Sequence, residues 1–77
     1  MEWQGRIEVN PSVLIGKPVV KGTRVAVELI MGLLAEGWTT EQILQQYPVL
    51  SEPDIRACLA YATTLLRNEQ VFPLQAG

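Results

Sequence analysis

The sequence predicts a mainly α domain in which three helices follow a short N-terminal strand and a β-hairpin. Residues 6–25 hold β-branched pieces separated by turn residues, which is a strand pattern. From Val27 onward apolar side chains recur at helical spacing. Gly37, Thr39, Pro48 and Ser51 divide that second part into three helices. At 77 residues the chain has room for one core and little stability from burial alone, so a homodimer is expected. The domain is expected over residues 1–67, with a short C-terminal tail over residues 68–77.

Arg6-Ile7-Glu8-Val9 alternates polar and apolar side chains, and Asn10-Pro11-Ser12 stops that strand. Val19-Val20 and Thr23-Arg24-Val25 have only Lys21-Gly22 between them, the spacing of a two-residue hairpin whose glycine takes a positive φ. Pro18 sits near a strand start, where its missing N–H does least harm. Val27, Ile30, Leu33 and Leu34 then mark a first helix, which Gly37 ends by taking the left-handed position.

Thr39-Thr40-Glu41-Gln42 matches a capping box, in which the Thr39 hydroxyl accepts from the Gln42 amide and the Gln42 side chain reaches back. A short second helix over residues 40–47 follows, with Ile43, Leu44 and Tyr47 on one side. Pro48 stops it. Ser51 opens a third helix over residues 52–67, with Pro53 in the first turn and Asp54 at the positive end of the helix. Its apolar stripe is Ile55, Cys58, Leu59, Ala62 and Leu66.

The composition, 48% hydrophobic and 18% charged, is too apolar for a disordered chain, and no apolar run approaches the ~20 residues of a membrane span. The start, MEWQGRIEV, lacks the basic flank and apolar stretch of a signal peptide, so a cytoplasmic protein without membrane association is expected. One cysteine and no histidine leave no intrachain disulfide, no metal-ligand spacing and no Cys/His nucleophile; no cofactor is expected. Cys58 reads as a small buried hydrophobe. Residues 1–27 carry four basic against two acidic side chains, whereas residues 28–77 carry two basic against six acidic ones. Anion contacts are therefore expected from the N-terminal part.

The glycines and Lys17 of the stretch GKPVVKGTRV invite comparison with a phosphate-gripping P-loop. Pro18 stands where the metal-binding hydroxyl should be and Pro11 where the earlier glycine should be, so nucleotide hydrolysis is not supported. Glu28, Glu36, Glu41 and Glu69 read as solvated helix faces, and no enzyme is expected. Lys17, Lys21 and Arg24 are expected to cluster near the turn and position DNA phosphates. The second and third helices have the lengths of a helix-turn-helix, in which Arg56 would reach a base edge or phosphate. Ser51, Glu52, Pro53 and Asp54 at the start of that third helix are unfavourable to phosphate, so readout by one subunit is expected to be weak.

GKPVVKGTRV, followed by Ala35-Glu36-Gly37-Trp38, Glu41-Gln42-Ile43-Leu44, Tyr47-Pro48, Asp54-Ile55-Arg56 and Ala60-Tyr61-Ala62, resembles the small bacterial and archaeal family of domain of unknown function 433, from about Ile7 to Ala62. Ala26 stands where members usually have proline. The resemblance implies a homeodomain-like (helix-turn-helix) trihelical domain behind a β-hairpin. It further implies an antitoxin that binds a PIN-like ribonuclease toxin and represses its own operon by binding operator double-stranded DNA. The alternative is a stand-alone helix-turn-helix DNA-binding transcriptional regulator without a toxin partner. Trp3, Ile7 and Val9 are expected either at the dimer surface or over their own core. Val71, Phe72 and Leu74 are expected to bind the partner, or Phe72 to fold back on the core.

Overall fold

The computed structural model describes residues 2–68. Its elements are β1 (Ile7–Val9), β2 (Pro18–Val20), α1 (Val27–Ala35), α2 (Thr40–Gln46) and α3 (Glu52–Asn68), with one 3-10 turn, Leu14–Gly16, between the strands. Three helices behind a two-stranded antiparallel hairpin is the expected architecture.

The hairpin is closed differently from the sequence reading. β1 pairs with β2 in the register Ile7↔Val20, Glu8↔Val19 and Val9↔Pro18, and the Lys21 N–H extends the ladder by donating to the Arg6 carbonyl at 2.7 Å. The connection is residues 10–17, not Lys21-Gly22. A tight turn does exist there, because the Thr23 N–H donates to the Val20 carbonyl at 3.0 Å and Gly22 has φ 81°. Lys21, however, is not in the left-handed region. A two-residue type I′ hairpin needs positive φ at both central residues. Positive φ at the second alone is the type II pattern, whose twist splays the flanking segments. After this turn only the Val20 N–H to Val25 carbonyl bond and a single Val19↔Ala26 bridge remain before α1 begins.

The helix boundaries follow their signals. Gly37, at φ 97°, lets its own N–H reach the Leu34 carbonyl and that of Trp38 reach the Leu33 carbonyl, both at 3.0 Å, which is the Schellman pattern closing α1. The capping box of α2 forms, with the Gln42 N–H donating to Thr39 Oγ1 at 3.1 Å and the Thr39 N–H to Gln42 Oε1 at 2.8 Å. Ala26 precedes α1 with φ −72° and no side-chain cap.

Ile30 of α1, Ile43 of α2, and Ile55 and Cys58 of α3 meet in the core with the cross-strand partners Ile7 and Val20. Cys58 has no exposed surface; burial first, and the nearby Asp54 carboxylate second, push its thiol up to about 11. The N-terminal arm belongs to this same core. Trp3 stacks edge-on against Tyr61 at 4.7 Å and its Nε1–H donates to Thr64 Oγ1 at 3.1 Å. Trp3 and Ile7 therefore cover their own domain, and of the three candidates for a shared surface Val9 alone is exposed.

Candidate functional site

The basic block is divided by the sheet. Lys17 and Lys21 flank opposite ends of β2, which at about 3.3 Å per residue puts them roughly 13 Å apart along the strand, so they do not form one cluster at the turn. Lys17 Nζ is paired with Glu28 Oε1 at 2.9 Å. Arg56 Nη2 is paired with Glu52 Oε1 one helical turn earlier, at 3.2 Å. Among the described residues Lys21 and Arg24 have no carboxylate partner, and both are exposed beside the type II turn. Glu8 lies close to them, since its Oε1 accepts from the Gly22 N–H at 3.3 Å.

Arg6, which the sequence did not single out, has a structural partner. Its Nη1 lies 3.0 Å from Asp54 Oδ1, while Asp54 Oδ2 accepts from the Ser51 N–H at 2.9 Å and the Ser51 hydroxyl at 3.1 Å. Asp54 thus closes the first turn of α3 and ties it to the start of β1. It is buried, and its charge is matched by Arg6. Of the acidic residues at the start of α3, Glu52 alone faces solvent.

α2, residues 47–51 and α3 are arranged in chain order as a helix, a turn and a longer helix. The outward face of α3 starts with the Glu52–Arg56 pair, which offers a DNA backbone no net charge.

An apolar groove of about 360 Å³ lies between α1 and α3 and is capped by the sheet. Pro18, Val27, Met31, Tyr61, Ala62 and Leu65 form it, with Glu28 at its edge. Val9, 56% exposed, lies directly opposite Pro18 in the ladder. Leu65 is 52% exposed because α3 continues past the core and carries its apolar stripe with it. A larger hollow of about 550 Å³ beside α2 is lined by Thr39, Glu41, Gln42, Leu44 and Gln45. Thr39 and Gln42 are engaged there in the capping box, and Glu41 has no second ionisable group facing it in that lining. Among the described residues no group of three or more His, Cys, Asp and Glu could hold a metal ion.

Val71, Phe72 and Leu74, the expected partner-binding residues, lie outside the described residues. The groove was not foreseen as a unit. Its one sequence signal is Leu65, which widens the apolar stripe of α3 beyond Ile55, Cys58, Leu59, Ala62 and Leu66. Among the described residues no helix is long and apolar enough to cross a membrane.

Comparison with known proteins agrees with this picture of the fold. The family model described as "Protein of unknown function (DUF433)" matches residues 7–62. The uncharacterized protein y4eO of Sinorhizobium fredii is 40% identical over 53 residues, which are 69% of this chain and 24% of that protein, so the chain spans about a quarter of its relative's length. The crystal structure of a DUF433 member protein from Anabaena variabilis superposes with a TM-score of 0.77 at 25% identity, covering 83% of this chain and 63% of that one.

Proposed function

This chain belongs to the DUF433 family, and from that premise we propose that it is a small non-enzymatic, antitoxin-like protein of the cytoplasm. It binds and blocks a PIN-like ribonuclease toxin. The observation that carries this reading is the open apolar groove between α1 and α3, which no described segment of the chain covers. A contiguous apolar hollow with a polar rim is a protein-binding feature. Two of the four candidate DNA contacts, Lys17 and Arg56, are already paired with carboxylates, which favours a protein over DNA as the main partner.

Co-expression with a PIN-like ribonuclease, taken from the neighbouring gene where the neighbour encodes one, tests the reading. The wild type should restore growth and copurify with the toxin. Leu65→Glu, which places a charge in the groove from a half-exposed position, should lose both while keeping its helical circular dichroism. A wild type that neither copurifies nor restores growth overturns the proposal.

Operator binding is the second reading, favoured by Lys21 and Arg24 beside the turn, which have no carboxylate partner among the described residues. Replacing both by Ala should weaken binding to all sequences alike and flatten the log–log salt slope by about 2. Absence of any wild-type shift with its own promoter at low salt refutes it, together with the alternative of a stand-alone helix-turn-helix regulator.

A further inference from the structure

We propose that Trp3 is a positioning residue for the groove: it holds the Tyr61 ring in place as a wall of the surface that receives the partner protein. The two side chains meet edge to face, with ring centroids 4.7 Å apart and planes at 85°. Tyr61 also lines the groove between α1 and α3. One ring thus has the indole on one side and the groove on the other. At about 100° per residue around α3, Thr64, which accepts from the indole, lies about 60° to one side of Tyr61, and Leu65, in the groove, about 40° to the other.

Trp3 is fixed at both its backbone and its ring. Its carbonyl accepts the N–H groups of Arg6 and Ile7, each at 2.9 Å, in a turn that leads into β1. Its indole N–H donates to Thr64 Oγ1 at 3.1 Å, and the Thr64 hydroxyl in turn donates to the Ala60 carbonyl at 3.1 Å, so the acceptor is itself oriented. Arg6, three positions on, is paired with Asp54 at the start of the same helix. The half-buried Tyr61 sits within that helix, where a tyrosine has two χ1 settings open to it, near 180° and −60°. Edge-to-face contact with the fixed indole favours one of the two. Without that contact the ring divides its time between them, and the wall of the groove is no longer set.

This inference rests on the reading of the groove as the toxin's site. A wall that is already set spares the partner the cost of ordering Tyr61 on binding. Trp3 is not among the residues lining the groove, so it acts on the partner through Tyr61. Loss of one aromatic pair corresponds to about threefold to tenfold in affinity. A Trp3 that only covered the core would change the stability of the domain and leave the groove of each folded molecule as it was.

The χ1 setting of Tyr61 in the full chain, read by NMR from the three-bond couplings of its Cγ to the backbone nitrogen and carbonyl carbon, tests the positioning without any partner. Trp3→Leu keeps an apolar cover but removes the aromatic edge and the N–H, whereas Trp3→Phe keeps an aromatic edge. The wild type and Trp3→Phe should show one setting, and Trp3→Leu an average of two. Should circular dichroism show Trp3→Leu unfolded, Thr64→Val, which takes the acceptor from the indole, replaces it with the same expected averaging. With a PIN-like ribonuclease, Trp3→Leu should weaken binding by about threefold to tenfold, and Trp3→Phe should restore it to within about twofold of the wild type. A ring that averages in the wild type, or stays in one setting in Trp3→Leu, overturns the inference. So does an averaged ring with unchanged toxin affinity. A wild type that binds no toxin overturns the reading of the groove, while the couplings still decide whether Trp3 positions Tyr61.

Discussion

Breaking the link between Arg6 and Asp54 should unfold the domain well below its wild-type midpoint. Asp54 accepts three hydrogen bonds, one from Arg6 Nη1 and two from the backbone and hydroxyl of Ser51, with its side chain only 12% exposed. Asp54→Ala removes a helix-start cap, at about 1 kcal/mol, and leaves the Ser51 N–H without its partner. It also removes a charge-assisted bond to Arg6, nominally about 1.5–3 kcal/mol. Because the Arg6 side chain is 44% exposed and can return to water, that contribution is discounted to about 1–2 kcal/mol. The sum is about 2–3 kcal/mol. In a domain of this size each kcal/mol shifts the midpoint by about 4–8 °C, so a fall of roughly 10–20 °C is expected.

Arg6→Ala alone should cost about 1–2 kcal/mol, since the Ser51 donors still serve the carboxylate. The double variant should cost less than the two singles added together, by about 1 kcal/mol. Urea denaturation followed at 222 nm, on the wild type, both singles and the double, measures all four corners. If Asp54→Ala lies within about 0.5 kcal/mol of the wild type, or the two losses add without coupling, the pair does not hold β1 to α3 and the reasoning fails.

Three other outcomes follow from local geometry. Cys58 has its thiol pushed up to about 11, so the unfolded chain releases this proton first as pH rises; stability should be intact below about pH 9 and fall by about 2–3 kcal/mol between pH 9 and 11, a slope missing from Cys58→Ala when the two are compared by urea titration. Ala26 has φ −72° and precedes α1, so Ala26→Pro should raise stability by about 0.4–1 kcal/mol through the unfolded state; a fall in thermal midpoint refutes it. Ile15 has φ 55° and is 95% exposed, a backbone position that asparagine tolerates better, so Ile15→Asn should stabilise by about 1 kcal/mol in the same assay, and any loss would contradict the strained turn.

What was legible in the sequence was local. The capping box at Thr39 and Gln42, the left-handed Gly37 and the start of α3 at Ser51 depend on residues within five positions of one another, and each sets a helix boundary where its own hydrogen bonds require it. The strand pairing was not legible, because it turns on the φ of Lys21. A type I′ turn would have joined Val19-Val20 to Thr23-Val25, whereas the type II turn leaves β2 to find β1 across an eight-residue connection. The Arg6–Asp54 pair spans 48 positions. Asp54 has the same local appearance as a surface carboxylate favoured by the helix dipole, and nothing near it in sequence names Arg6.

The block GKPVVKGTRV shows why a distinctive string is a poor guide to a site. Val19 and Val20 are buried, Pro18 opens β2, and Gly22 supplies the one positive φ of the turn. Thr23 closes that turn twice, with its hydroxyl donating to the Val20 carbonyl at 2.8 Å and accepting from the Val25 N–H at 2.9 Å. Lys17 is engaged by Glu28. The fold therefore uses most of the block, and Lys21 and Arg24 alone among its charged residues are left unpaired within the described chain. The groove is formed instead by side chains that look ordinary one at a time, Met31 on α1 and Tyr61 and Leu65 on α3, which become a surface only when two helices and a strand are set side by side. Substitutions in the block should consequently report first on folding, and substitutions at Leu65 first on binding.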